Sequence, residues 1–124
     1  MKIQSILVVD DDENDQFICE YTIRKYDPAI HVLKAFDGAE ALDVLRGDTP
    51  DAIILDINMP VMNGFEFLDR YAEEFEVHAP IVAMLTSSRL GKDRERAMQY
   101  DFVKSYFEKP LVPDHLRMMD ELLG

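Results

Sequence analysis

Five short apolar runs recur along this chain at helix-length intervals, and four of them lead into reactive polar side chains. Ile6-Leu7-Val8-Val9 precedes Asp10-Asp11, Ala52-Ile53-Ile54-Leu55 precedes Asp56, and Ile81 to Leu85 precedes Thr86. Tyr106-Phe107 leads through Glu108 to Lys109-Pro110, whereas Ile30–Phe36 ends in the plain turn pair Asp37-Gly38. Continuous apolar runs of this length read as strands buried on both faces, and helical stretches between them make the sheet parallel. In an open parallel sheet, ligands bind at the carboxyl ends of the strands, beside the point where strand order reverses. Three carboxylates, a hydroxyl and an ammonium all fall at that edge.

The pattern predicts β1 over Ser5–Asp10, α1 over Asn14–Tyr26 (ended by Asp27-Pro28) and β2 over Ile30–Phe36. Asp37 caps α2 over Ala39–Arg46, Gly47 stops it, and β3 follows over Ala52–Asp56. Phe65, Leu68 and Ala72 mark α3, expected over Phe65–Phe75, and β4 is expected over Ile81–Leu85. The next stretch, Lys92–Tyr100, carries only Ala97 and Met98 as apolar anchors, so α4 is expected to be marginal. Strand β5 is expected over Ser105–Phe107, and Pro113 opens α5 with Leu116, Met119 and Leu123 on one face.

A chain of 124 residues without repeat, linker or low-complexity stretch makes one domain, 1–124. No apolar run approaches the roughly 20 residues of a membrane span, and Met1-Lys2-Ile3-Gln4 leads straight into a strand without a signal peptide. The expected location is therefore cytoplasmic, with no membrane partner. A net charge of −12 repels duplex DNA, and no basic recognition helix or aromatic platform offsets it, so no nucleic-acid partner is expected. Acidic balance suits protein partners and divalent cations. The single Cys19 reads as a small apolar packing residue. His31, His78 and His115 have no metal-site spacing and read as solvated surface.

If β1 and β3 are neighbours, Asp10, Asp11 and Asp56 converge on one crevice. Two carboxylates about 5 Å apart repel by about 3 kcal/mol at an effective dielectric near 20, so three of them call for a cation or a proton. Hard oxygen donors with room for water suit Mg²⁺. A solvated acidic loop would account for Asp10-Asp11-Asp12 alone, but not for Asp56 closing the most apolar strand. A phosphoryl group on Asp56 would carry about two negative charges. Mg²⁺, the Lys109 ammonium and the Thr86 hydroxyl are the types of group that neutralise and bind such oxygens. Lys109-Pro110, just past a strand, is a candidate cis bond.

Four separated segments match a known pattern in order: Val8-Val9-Asp10-Asp11, Leu55-Asp56 through Asn63-Gly64, Leu85-Thr86-Ser87, and Lys109-Pro110. In these the chain resembles the response-regulator receiver domains of two-component signalling, over essentially its whole length. The resemblance implies a flavodoxin-like, doubly wound (βα)5 fold with a parallel five-stranded sheet of order 2-1-3-4-5. It implies that Asp56 is phosphorylated by a histidine kinase or a His-phosphotransfer protein, with Lys109 and Thr86 gripping the phosphoryl oxygens. Mg²⁺ would be held by Asp10, Asp11, Asp56 and the backbone carbonyl of Asn58. Thr86 and Tyr106 would form a switch read out on an α4-β5-α5 face, and Ser87 would leave room for the phosphoryl group. Asp12 lies outside the matched acidic pair. The stretch Asp101–Ser105 replaces a glycine-containing turn usual before β5, and no output domain follows α5 in this sequence. The resemblance therefore implies a phosphorylation-dependent switch of the stand-alone type, not a conventional enzyme, acting by docking, relay or phosphate drainage.

Three other readings use the same residues. A haloacid-dehalogenase-type phosphatase would use Asp10 and Asp12 as its Asp-x-Asp pair, but leaves Asp56 idle. An EF-hand matches at Asp10, Asp12 and Asn14 but meets Asp15 where glycine is required and Tyr21 where the closing glutamate belongs. A pseudo-receiver would bind partners without being phosphorylated.

Overall fold

The computed structural model describes residues 2–124. Its elements alternate: β1 (Ser5–Val9), α1 (Glu13–Tyr26), β2 (His31–Ala35), α2 (Gly38–Gly47), β3 (Ala52–Leu55), α3 (Gly64–Glu74), β4 (Ile81–Thr86), α4 (Gly91–Ala97), β5 (Val103–Glu108) and α5 (Pro113–Leu123). The strands form one sheet of order β2-β1-β3-β4-β5, and every pairing is parallel. This is the doubly wound arrangement implied by the resemblance. Strand order reverses between β1 and β3, where Val9 sits beside Leu55.

The two faces of the sheet bury separate cores. Ile6, Val8, Ile54, Ala83 and Leu85 pack with Cys19 and Ile23 of α1 and Leu116 and Met119 of α5. Leu7, Val9, Ile53, Leu55 and Met84 pack with Leu42 of α2 and Phe65, Phe67, Leu68 and Tyr71 of α3. Both cores need apolar residues at every position of the central strands, which is why those strands read as unbroken runs rather than alternations.

Strand β5 carries an irregularity. Val82 pairs with Val103 but Ala83 pairs with Ser105, so Lys104 is an extra residue against β4. This is a β-bulge.

Element ends depart from expectation in physically plain ways. Asp10 and Asp56 close their strands without belonging to them, while β4 takes in Thr86. Gly47 is the last residue of α2, not its stop, and Asp48 caps the helix. Helix α4 ends at Ala97, three residues before Tyr100, and β5 begins at Val103, two residues before Ser105. In α3 the buried set is Phe65, Phe67, Leu68 and Tyr71; Ala72 is exposed.

Two of the three histidines also pack rather than merely meeting solvent. His78 is half-buried against Tyr71 and Phe102, with Nε2 2.9 Å from the Tyr71 carbonyl. His115 stacks on Phe107 with ring centroids 4.2 Å apart, and its Nδ1 accepts the Val112 N–H at 3.2 Å. His31 alone is exposed.

Candidate functional site

Asp10 and Asp56 follow adjacent strands, and backbone bonds extend the ladder just far enough to hold them. The Asp10 N–H donates to the Ala35 carbonyl at 3.1 Å, and the Asp56 N–H donates to the Val9 carbonyl at 3.0 Å. Buried Gln16 of α1 reinforces this corner, its side-chain amide donating to the carbonyls of Val8, Asp10 and Ala35 at 3.0, 3.1 and 2.8 Å. Among the described residues, its Oε1 is the one buried side-chain polar atom without a partner.

The loop after β3 folds tightly beneath Asp56. Val61 takes a left-handed φ of 66°, and the Met62 N–H donates to the Pro60 carbonyl at 2.7 Å, which makes a γ-turn. The Met62 carbonyl then accepts the Gly38 N–H at 3.1 Å, and the Gly64 N–H donates to the Ile57 carbonyl at 2.7 Å. A Cβ on Gly64 would stand 2.5 Å from the Asp56 carbonyl oxygen, so only glycine permits this approach.

Carboxylate oxygens of Asp10, Asp11 and Asp56 lie within 4.8 Å of one another; Asp10 and Asp56 are buried and Asp11 is exposed. Lys109 Nζ reaches in from beyond β5 to Asp10 Oδ2 at 2.8 Å and Asp56 Oδ2 at 2.9 Å. It also meets Asp15 Oδ2 at 2.7 Å. Asp56 Oδ1 accepts the Ile57 N–H at 2.7 Å. The Lys109-Pro110 bond is cis, and the Lys109 N–H donates to the Thr86 carbonyl at 3.0 Å, which ties the lysine to the end of β4.

Charge dominates this site. Burial pushes the Asp10 carboxyl above its usual range, outweighing the hydrogen bond from Lys109. Burial opposes the charge on Lys109 too, but hydrogen bonds to Asp10, Asp15 and Asp56 overcome it and push its pKa up. The rise at Asp10 is a cost of burial, to which the neighbouring Asp56 charge adds last, and the rise at Lys109 reflects several carboxylates sharing one ammonium. A small, hard, oxygen-seeking cation fits such a donor set. Asn58 stands exposed at the rim, two residues beyond Asp56.

The switch residues meet at a different point. Thr86 is fully buried, and its Oγ1 accepts the Ser88 N–H at 3.2 Å. The half-buried Tyr106 directs its hydroxyl at the Ser88 carbonyl, 3.5 Å away, and the Arg94 guanidinium lies 5.8 Å from its ring centre. Ser88 Oγ in turn donates to Asp93 Oδ2 of α4 at 2.7 Å. Ser88, Arg94 and Tyr106 line a cleft of about 380 Å³ beside α4. Ser87 is exposed.

Asp12 caps α1, its Oδ1 accepting the N–H groups of Asn14 at 2.8 Å and Asp15 at 3.1 Å. That role accounts for Asp12 as a helix cap, and the phosphatase reading still leaves the buried Asp56 beside Lys109 without a role. The EF-hand reading fails, since Asp10 to Asn14 run from a strand end into a helix and not around a cation loop.

The chain matches the response regulator receiver domain family over residues 6–120. The chain belongs to that family. It is 34% identical to the protein-glutamate methylesterase/protein-glutamine glutaminase of Geobacillus kaustophilus over 100% of its own length, but spans only 36% of that protein. It is 28% identical to the polar-differentiation response regulator DivK of Brucella anthropi, covering 98% of this chain and 97% of that one. A two-component response regulator structure from Cytophaga hutchinsonii superposes with a TM-score of 0.89 at 31% identity, covering 99% of this chain and 98% of the other. Among the described residues, no helix is long and apolar enough to cross a membrane.

Proposed function

We propose that Asp56 accepts a phosphoryl group from phosphohistidine on a histidine kinase or a His-phosphotransfer protein. The observation that carries this reading is the Lys109 ammonium lying 2.9 Å from Asp56 Oδ2, at the strand switch point and inside a three-carboxylate cluster. In the transfer an Asp56 oxygen bonds to phosphorus, the phosphorus–nitrogen bond of the donor breaks, and the departing imidazole keeps the electron pair. Lys109 neutralises charge on the phosphoryl oxygens and Thr86 hydrogen-bonds to one of them. Burial of Asp56 limits access of water to the acyl phosphate.

Asp10, Asp11, Asp56 and the Asn58 carbonyl would hold Mg²⁺, which when bound offsets negative charge on the acidic cluster and on the phosphoryl oxygens. With Thr86 drawn to the phosphoryl group, its bond to Ser88 is released and Tyr106 follows. The α4-β5-α5 face then presents a different surface to a partner. A cytoplasmic setting and the chain 1–124 acting as a unit belong to the same proposal.

Incubation with acetyl phosphate and Mg²⁺ should add one hydroxylamine-labile phosphoryl group, seen by intact mass. Labelling of Asp56→Asn at the wild-type level would sink the assignment. Mg²⁺ at about tenfold its dissociation constant should stabilise the fold by roughly 1.4 kcal/mol. An unchanged urea midpoint at low ionic strength would count against a metal pocket.

A further inference from the structure

Asp15 occupies the third residue of α1, where a carboxylate ordinarily reaches back to the N–H of the capping residue. Helix α3 does this: Glu66 accepts the Asn63 N–H at 3.0 Å while Asn63 accepts the Glu66 N–H at 2.9 Å. Helix α1 does not. The Asp12 N–H is already taken by Asp10 Oδ1 at 3.0 Å, and Asp15 turns instead to Lys109, 94 positions away, at 2.7 Å.

This contact shares its buried ammonium with the Asp10 and Asp56 bridges and differs in that from the arginine pairs on the helices. Lys109 is 17% exposed and Asp15 32%, whereas the arginines paired along the helices are half-exposed or more. An ammonium has three protons to donate, and Lys109 has three carboxylates in reach. Two of these, Asp10 and Asp56, belong to the cluster that would hold a cation, and Asp56 is also the oxygen donor to phosphorus. Asp15 is the one partner of the three outside that cluster.

We infer that Asp15 is a positioning residue for phosphoryl transfer, holding the Lys109 ammonium at the mouth of the site when its other two partners are engaged elsewhere. The inference rests on Asp56 being the acceptor. A four-carbon side chain released from two of its partners regains rotamer freedom and swings toward water. The carboxylate of Asp15 prevents that, so the ammonium need not be recruited as the phosphoryl group arrives. The same carboxylate adds negative charge near the incoming phosphoryl group, so repulsion predicts the opposite sign for its removal.

The test compares the full chain with Asp15→Asn, Lys109→Met and the double variant, using acetyl phosphate and Mg²⁺ and reading label by intact mass. Asp15→Asn should label roughly fivefold more slowly or worse, and should add less than about twofold to the defect of Lys109→Met, because coupled residues are not additive. A wild-type or faster rate in Asp15→Asn, or two defects that multiply, overturns the inference. The second readout needs neither metal nor label. In metal-free protein Asp15→Asn should lower the melting temperature more in the wild-type background than in Lys109→Met. Equal shifts in the two backgrounds overturn the tie itself. If wild type takes no label, the acceptor role of Asp56 falls, and the metal-free comparison still decides whether Asp15 holds Lys109.

Discussion

Helices α3 and α4 lie on the same face of the sheet, yet they are held by different physics. Helix α3 buries Phe65, Phe67, Leu68 and Tyr71 and begins with a reciprocal capping box. Phe67 stacks on Tyr71 at 5.4 Å, and the Tyr71 hydroxyl accepts the buried Ala79 N–H at 2.7 Å. Helix α4 buries Ala97 alone, and its capping residue, Leu90, offers no side-chain acceptor. What holds α4 is polar and peripheral. Asp93 accepts from Ser88, Arg96 lies 4.2 Å from the centre of the Phe65 ring, and the Tyr100 hydroxyl just beyond the helix donates to Asp69 of α3. A large apolar side chain stabilises by about 1.5–3 kcal/mol when buried, which makes α3 part of the global fold. Helix α4, tied by a few weak links, can shift at low cost, and it lies against the cleft shared by Ser88 and Tyr106.

The largest test of this contrast is Phe67→Ala. Deleting a fully buried aromatic ring should cost about 3–5 kcal/mol and lower the urea midpoint for the whole domain. A loss below about 1 kcal/mol would mean that α3 is no better anchored than α4. Leu90→Ser should work the other way, adding a capping hydroxyl worth about 1 kcal/mol. Hydrogen exchange should show that gain in the amides of α4 while those of α3 stay unchanged. Protection spreading evenly through both helices would show that they open as one unit.

The smallest effect is the alkaline one. Burial first, then the hydrogen bond to Asp69, pushes the Tyr100 phenol from 10.0 up to about 12. A raised folded value makes its contribution full below pH 10.0 and lost as pH rises through about 12. Urea midpoints for wild type and Tyr100→Phe should therefore differ most below pH 10.0 and converge above it. Parallel curves would remove Tyr100 as a link between the two helices.

Much of the site could be read from strand ends, because a buried parallel strand offers few reasons to finish in a carboxylate. Asp10, Asp56 and Lys109 come together as that logic requires. Thr86 lies at the carboxyl end of β4, as its last residue and not just past it, with its hydroxyl engaged at Ser88. Asp15 and Gln16 were not legible. An acid in the first turn of a helix is explained well enough by the helix dipole, and a glutamine among charged residues reads as surface. Their roles depend on which way α1 is rotated against β1, and helical spacing does not supply that rotation. His78 and His115 read as solvated surface in the sequence because their packing comes from Tyr71, Phe102 and Phe107, which lie on or beside other elements. The early end of α4 follows from its lack of buried side chains beyond Ala97.

The extra residue in β5 changes the phase of that strand. On β4, Val82 and Met84 are two apart and face the same core; their partners Val103 and Tyr106 are three apart and face it too. Plain alternation counted from Val103 would send Tyr106 to the opposite side, among the residues packed by α1 and α5. Lys104, taking up the additional position, turns the remainder of the strand over. It brings the Tyr106 ring to the flank of α4 and leaves Phe107 to the other core. One lysine with no contact to the acidic cluster thus decides which helix the aromatic ring can address.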